Sequence, residues 1–571
     1  MTLSPTAWPT AERERWWHLE GQRKPGNPTA TGRNGIVTTA HHALPARIGL
    51  EALKQGGSAA DATAAAAMAQ IVLGAGAVIS FFGIFGLAYH VAASGEVATL
   101  SAGWKTCLGE TDPLSIPGKM AGIRTAEEAL ITGGGSEPTG RAALVGGFFR
   151  ALDAMLTRYG KLPRAEIFAP AIELAEDGFA VGEELDYYIA LRGDDLRRLP
   201  ETAAIFVRPD GALYSKGDHF RQIALAATLR GVAEYGSCWM YEGEWAKRAA
   251  QAVQRDGGTM TAEDIASYAV EWHAPITVSR GGYDIALLGG PEAGAGSTNL
   301  IEALHLADAA GIKAKGHWTR SPESFRDINL ITNNIMLSGF PGIEAVPGFE
   351  NISFDPEVRR TRSHADTLWQ AINGAGSFMQ PRAGGHSDTV TAIDQWGNIA
   401  ALCHSSNCVC WGKTTIVVDG VSIVDSAAIQ QPLVAAAGPG GYTVLPLEVG
   451  IMLKDGVGVS GFASKNMGLH QKTVQCVLNM TDFGMNAVDA ANAPAVGLFA
   501  MDADDPTPQA RVVEGDFDPA LLAASGLSVH QAAKDDAWLA EGHWVPASRD
   551  PVTGELSATS PEHASGQAAA F

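Results

Sequence analysis

From Ile71 to Tyr89 nineteen consecutive residues carry no charge, in the run IVLGAGAVISFFGIFGLAYH that closes on His90. Such a run must leave water. It either crosses a bilayer, which takes about 20 apolar residues, or lies inside a large folded core. Its glycines, the lack of flanking positive charge and the absence of a second such stretch favour the core. A chain of 571 residues, 46% apolar and 18% charged, has the composition of a globular protein and the length to bury such a segment. At roughly 150 residues per domain it holds about three or four units, or fewer large ones.

The charge balance narrows the partners. Lys and Arg number 41 against 62 Asp and Glu, a formal net charge of -21, and no cluster of basic residues interrupts this. An acidic surface repels phosphate backbones and anionic headgroups, so no nucleic acid and no membrane partner is expected. Six cysteines in a chain this long are no disulfide framework. The opening MTLSPTAWPTAERERWW lacks the basic start and apolar run of a secretory signal. The expected location is cytoplasmic, with reduced thiols.

Along the chain, residues 1–34 read as an irregular arm. Gly35–Ala40 reads as a short strand, Leu44–Gln55 as a helix stopped by Gly56-Gly57, and Asp61–Gln70 as an Ala-rich helix able to lie close against a sheet. Gly86–Leu100 is a hairpin turning at Ser94-Gly95. Helices follow at Leu144–Tyr159, Arg164–Asp177 and Trp245–Arg255, and Thr261 with Asp264 forms a capping box. Residues 340–385 read as irregular. Thr389–Asp394 and Ile399–Asn407 alternate around the turn Gln395-Trp396-Gly397-Asn398 as a β-hairpin. Strands are expected at 415–424 and 448–461, and a helix at Gln471–Asp482. Strands at both ends with helices between them suggest one α/β fold closed by distant segments.

Few motifs carry chemistry. The glycine-rich strings at Gly289–Ser297 and Gly438–Gly441 lack the strand and helix frame of a dinucleotide site. Cys403, His404, Cys408 and Cys410 are dense, but their spacing is not that of a zinc knuckle, and they read as core cysteines beside a polar strand. No metal and no organic cofactor is implied. The informative string is His386-Ser387-Asp388-Thr389-Val390-Thr391-Ala392-Ile393-Asp394 with Gly397-Asn398 after it.

That string resembles the start of the small subunit in the γ-glutamyltransferase family of N-terminal-nucleophile hydrolases. Ser387 stands where the family places its nucleophilic Thr, and Asp394, Gly397 and Asn398 match its Asp and Gly-Asn. The segments 35–70, 159–179, 257–268 and 482–494 are similar to the same family in the same order. The resemblance implies a four-layer αββα sandwich, cut between His386 and Ser387 into a large subunit, 35–386, and a small subunit, 387–571. The freed α-amine of Ser387 then serves as base, with a pKa near 7.7–8.0 suited to the task. Ser387 forms an acyl-enzyme that water or an amine releases. Eighteen residues on, 387 + 18 = 405, Ser405 takes the place of a Thr that orients the nucleophile, and Asn407 that of an Asn binding substrate. On one strand, 403, 405 and 407 would share a face.

The pattern also breaks. The family's carboxylate-gripping Arg falls in Leu100-Ser101-Ala102-Gly103-Trp104-Lys105, which has no Arg. Trp104 and Lys105 are the substrate-side candidates there. A Ser-Ser pair is replaced around Leu445-Pro446. The oxyanion Gly-Gly becomes Ser464-Lys465-Asn466, leaving the Lys465 N–H and Asn466 for the oxyanion, and a glycine run becomes Phe81-Phe82-Gly83-Ile84-Phe85. Without a bidentate Arg, a glutamyl carboxylate would be buried unpaired. The expectation is therefore a self-processing amidohydrolase acting on a small acyl or oxamate-like amide, its fragments associated and open to higher homo-oligomer formation. The alternatives are a true γ-glutamyl hydrolase or transferase using Lys105, and an inactive scaffold on the same fold.

Overall fold

The computed structural model describes residues 3–23, 26–119, 134–135, 137–291, 296–335, 337, 343–375, 387–408, 410–500, 508–534, 541–562 and 564–571. Two antiparallel sheets, each seven-stranded among the described residues, form its centre. In chain order the strands are β1 (Thr29–Gly32), β2 (Ile36–Thr39), β3 (Ile84–Val91), β4 (Glu96–Ala102), β5 (Glu271–His273), β6 (Ile276–Arg280) and β7 (Tyr283–Leu287). They continue with β8 (Ser387–Ile393), β9 (Ile399–Ser405), β10 (Glu448–Lys454), β11 (Val457–Lys465), β12 (His543–Arg549), β13 (Leu556–Thr559) and β14 (Ala568–Ala570). The first sheet runs β14-β2-β8-β9-β3-β4-β5 and the second β1-β13-β12-β11-β10-β7-β6. Both sheets thus combine strands from before and after residue 386.

The helices that matter here are α1 (Thr10–Leu19), α2 (Ala43–Lys54), α3 (Ala59–Leu73), α4 (Phe148–Tyr159), α5 (Arg164–Asp177), α6 (Glu183–Leu191), α7 (Ile223–Tyr235), α8 (Glu244–Arg255), α9 (Ala262–Ala266), α10 (Gly296–Ala309), α11 (Pro322–Asn333), α12 (Arg362–Ala375) and α13 (Leu469–Thr481). The earlier helices cover the first sheet, and α10 to α13 cover the second. Three apolar layers follow: between helices and first sheet, around Met68, Phe148 and Val390; between the sheets, around Ile393, Ile399 and Ile451; and between second sheet and helices, around Phe462, Val477 and Trp544. This is the expected αββα sandwich.

The uncharged run is core. Its first part ends α3, every residue of which is buried, and its last part is β3. Among the described residues no helix is long and apolar enough to cross a membrane. Alanine makes the close fit of α3 possible, because a helix with short side chains can pack closely against the first sheet on one side and α2, α4 and α5 on the others. Its start is fixed by the capping box of Ser58 and Asp61, and the Asp61 carboxylate also accepts from the N–H groups of Lys161 and Leu162 at 2.8 and 3.3 Å.

Two stretches differ from the sequence reading. Residues 1–34, expected to be irregular, contain α1 and the edge strand β1. Trp8 and Trp16 are buried, and the Arg47 guanidinium lies 4.7 Å from the Trp8 ring centroid, so tertiary packing holds what local propensity does not. Within 340–385, also expected to be irregular, α12 forms. It is anchored by Arg359 just before it, which reaches Glu302 on α10 through two hydrogen bonds of 2.9 and 2.7 Å.

Candidate active site

The hairpin of β8 and β9 sits at the centre of the first sheet, and its open end carries the candidate residues. Its closed end is tied down by Asp394. That carboxylate accepts from the N–H groups of Trp396 and Asn398, each at 3.0 Å, from Asn398 Nδ2 at 2.9 Å, and from the N–H of Ala59 at the start of α3 at 3.1 Å. Gly397 takes φ +84, which a glycine adopts without strain. The Asp and Gly-Asn of the motif are therefore structural. They fix the hairpin register and lock it to α3.

In that register Ser387 faces Ser405, Asp388 faces His404 and Thr389 faces Cys403. Pleating then sorts the side chains. Ser387, Thr391, Cys403 and Ser405 point toward the second sheet: the Thr391 hydroxyl donates to Val545 O at 2.8 Å, and the Cys403 thiol to Ser464 O at 3.5 Å. Asp388 and His404 point toward the helices, where His404 Nε2 lies 3.0 Å from Gln70 Oε1. Burial pulls the His404 imidazole down to about 3, so it is neutral. Ser387 is buried.

Ser405 ends the strand, so the face expected to be shared by 403, 405 and 407 stops there. Asn407 turns out of the sheet with φ +44 and donates its backbone N–H to Ser405 Oγ at 2.9 Å. Its side-chain amide lies 3.5 Å from Gln430 Oε1. Ser405 thus stands between Ser387 and Asn407 and touches the latter through its main chain. Gly83 passes beside this end of β9, and a Cβ there would lie 2.4 Å from Ser405 O, so only glycine permits the approach.

Lys465 and Asn466 lie where β11 ends, across the sandwich from Ser387. Asn466 has φ +75, the left-handed region that glycine favours and that Asn tolerates better than other residues. The sequence changes but the backbone shape of a glycine position is kept. Its Nδ2 donates to Glu541 O at 2.8 Å, so the side chain is engaged away from the strand and the main-chain N–H is the better oxyanion candidate.

The substrate-side candidates divide. Register pairs β4 with β3, and β3 with β9, so residues 103–105 lie at the same end of the sheet as Ser387. Yet the Lys105 amine is held by Ser267 Oγ at 2.5 Å, just beyond α9, and Trp104 is buried in the layer between the sheets. Phe81 and Phe82, which stand in the place of the glycine run, pack away from the site. Phe81 stacks on Phe149, with centroids 5.1 Å apart, and Phe82 packs against Trp245. Both belong to the layer beneath the helices. His386, the other half of the expected cleavage site, lies outside the described residues. The cysteines at 403, 408 and 410 are free and buried, and no group of three metal-ligating side chains occurs among the described residues.

Sequence reasoning missed a polar cluster at this end of the sandwich. It gathers His41 and His42 from the loop after β2, Glu184 from α6, Asp388 from β8, Lys465 from β11 and His543 from β12, all buried. Glu20 joins from the arm, 2.6 Å from His42 Nδ1. Burial opposes charge on His42, but Glu20 outweighs it and holds the imidazole above its ordinary value. Burial raises the Asp388 carboxyl, against the pull of Lys465 and both histidines. The one signal in the sequence was the pair His41-His42 inside an otherwise apolar segment.

Comparison with known proteins places these features. The family model described as Gamma-glutamyltranspeptidase matches residues 45–338. A glutathione hydrolase proenzyme of Pseudomonas sp. (strain A14) is 24% identical over 494 residues, covering 81% of either chain. An acylase ACY 1 proenzyme of Pseudomonas sp. (strain V22) is 26% identical over 487 residues, covering 82% of this chain and 83% of its own. Among solved structures, a cephalosporin acylase from Bacillus halodurans shares the fold with a TM-score of 0.74 at 23% identity, over 95% of this chain and 97% of its own.

Proposed function

The chain belongs to the gamma-glutamyltranspeptidase family, and on that premise we propose that it is a self-processing amide hydrolase with Ser387 as nucleophile and a small non-glutamyl amide, acyl or oxamate-like, as substrate. One observation carries the reading. Ser387 opens a central strand, in register with Ser405 and across the sandwich from Asn466, whose backbone is shaped like that of a glycine. A hydroxyl there needs a base, and a chain cut before Ser387 supplies one in its own α-amine. The amine takes the hydroxyl proton as Oγ attacks the substrate carbonyl. The oxyanion is held by main-chain N–H at 465–466. The amine then protonates the leaving nitrogen, and water hydrolyses the ester. Ser405 positions the nucleophile, and Asn407 is the nearest candidate to hold substrate.

The relatives include both a glutathione hydrolase and an acylase, so kinship supports amide hydrolysis without fixing the acyl group. The non-glutamyl half rests on the absence of Arg from 100–105 and on the engagement of the Lys105 amine by Ser267. A large and a small fragment working together in the cytoplasm complete the proposal. Intact mass and N-terminal sequencing of the purified protein test it: two species are expected, the smaller beginning at Ser387, with Ser387→Ala uncut and inactive. A panel of γ-glutamyl, short acyl and oxamate-type anilides then assigns the acyl group. Amide turnover by an uncut chain would overturn the reading.

A further inference from the structure

The proposed nucleophile faces a difficulty that its mature form does not. Before the 386–387 bond is cut, the α-amine is a peptide nitrogen and accepts no proton. Another group must act as base in the first step.

The buried cluster supplies one. Lys465 is fully buried at the end of β11. Its amine lies 2.8 Å from His41 Nδ1 and 2.6 Å from His41 Nε2, and His41 Nδ1 lies 3.0 Å from Glu184 Oε1. Glu184 is fixed in turn by the hydroxyls of Tyr188, at 3.0 Å, and Ser565, at 3.2 Å. This is a base aligned by an imidazole that a carboxylate aligns. An ammonium and an imidazolium in buried contact repel, so the Lys465–His41 pair keeps room for one more proton. Cys403 links the two ends: it shares the sheet face of Ser387 and Ser405, and its thiol donates at 3.5 Å to the carbonyl of Ser464, the residue before Lys465.

We propose that the Lys465 amine, aligned by His41 and Glu184, accepts the Ser387 hydroxyl proton during self-cleavage. The inference rests on the reading of Ser387 as nucleophile. The Oγ–H proton passes to Nζ, and Oγ bonds to the carbonyl carbon of residue 386. The bond from that carbon to the Ser387 nitrogen breaks, and the nitrogen takes the proton back from Nζ to become the α-amine. Water then hydrolyses the ester, giving a carboxylate at 386 and restoring the hydroxyl. Lys465 is the catalytic residue of this step; His41 and Glu184 are positioning residues.

The groups facing the amine are Asp388 from β8, Cys403 and His404 from β9, His543 from β12, Glu184 from α6, His41 and His42 after β2, and Arg23 from the arm. Burial lowers Lys465 from the usual lysine value despite Asp388 and Glu184, and burial also lowers His41. Cleavage should therefore accelerate as pH rises and level off below the ordinary lysine range.

The test follows cleavage of newly synthesised full-length chain by intact mass at pH 5.5 to 9, with far-UV circular dichroism to verify folding. Lys465→Arg keeps the charge but accepts no proton, and is expected to cleave at least a hundredfold more slowly. Lys465→Ala is expected to be equally slow and to regain at least tenfold with added methylamine. His41→Asn should shift the pH midpoint. If Lys465→Ala does not fold, Lys465→Arg and the wild-type pH profile decide. Wild-type rates in either folded Lys465 variant, or a flat pH profile, overturn the proposal and leave Ser387 standing. A wild-type chain that never cleaves overturns both.

Discussion

Replacing Asp394 with alanine should loosen the whole hairpin that carries Ser387, by an amount that can be worked out from its four hydrogen bonds. The Ala59 N–H is buried at the start of α3 and loses its Asp394 acceptor. An orphaned buried donor of that kind costs about 1–3 kcal/mol. The N–H groups of Trp396 and Asn398 sit at a turn that water reaches, and each loses about 0.5–1 kcal/mol net. The Asn398 amide loses a charge-assisted partner at 2.9 Å while its Oδ1 must still hold the N–H of Ala92 at 3.0 Å. The three main-chain donors alone total about 2–5 kcal/mol, a large share of the roughly 5–15 kcal/mol that holds a domain folded. Asp394→Asn keeps one acceptor oxygen and should lose about half as much. Denaturant unfolding followed by tryptophan fluorescence measures both variants. A loss under about 1 kcal/mol for Asp394→Ala would refute the reasoning, because the carboxylate would then not be what joins the hairpin to α3.

Asn466→Val forces a β-branched residue into a left-handed backbone, costing about 1–2 kcal/mol of strain. If main-chain N–H at this position serves the oxyanion, kcat falls about a hundredfold, whereas Asn466→Gly keeps kcat; the ratio of the two is the readout. Lys105→Ala should change kcat/KM for the amide substrate by less than about threefold, since its amine is bound to Ser267; steady-state kinetics check this. Glu302 is buried between Arg359 and His364. Burial works against its charge, but the two partners outweigh burial and hold the carboxyl below its ordinary value. Its stabilisation is therefore complete above about pH 4.3 and lost as pH falls through the lowered folded value. Glu302→Gln should lose about 3–5 kcal/mol at neutral pH, and the gap to wild type should close on acidification; unfolding curves from pH 7 to 3 measure it.

Much of the fold was legible because local rules were sufficient. Arg164–Asp177 is a helix over the residues that its periodicity and the following Gly178 mark, and the β8–β9 hairpin follows from alternation around Gly397-Asn398. The arm and α12 were not legible. Their order comes from contacts with distant residues, Trp8 under Arg47 and Arg359 on Glu302, which no local window contains. Of the residues that the family resemblance marks, Ser387 and Ser405 stand opposite each other in the hairpin register. Asn407 leaves the strand because a positive φ directly after Ser406 ends the pleat. The buried cluster was beyond reach for a plainer reason: His41, Glu184 and Lys465 lie more than a hundred residues apart, and no local pattern joins them.

The mixing of early and late strands in each sheet changes what a break at residue 386 would mean mechanically. β8 is zipped between β2 and the late strand β9, and β9 is zipped to β3. All three apolar layers are built from residues on both sides of the break. A nicked molecule would migrate, melt and refold as a single particle, and only a denaturing gel would reveal that it had become two.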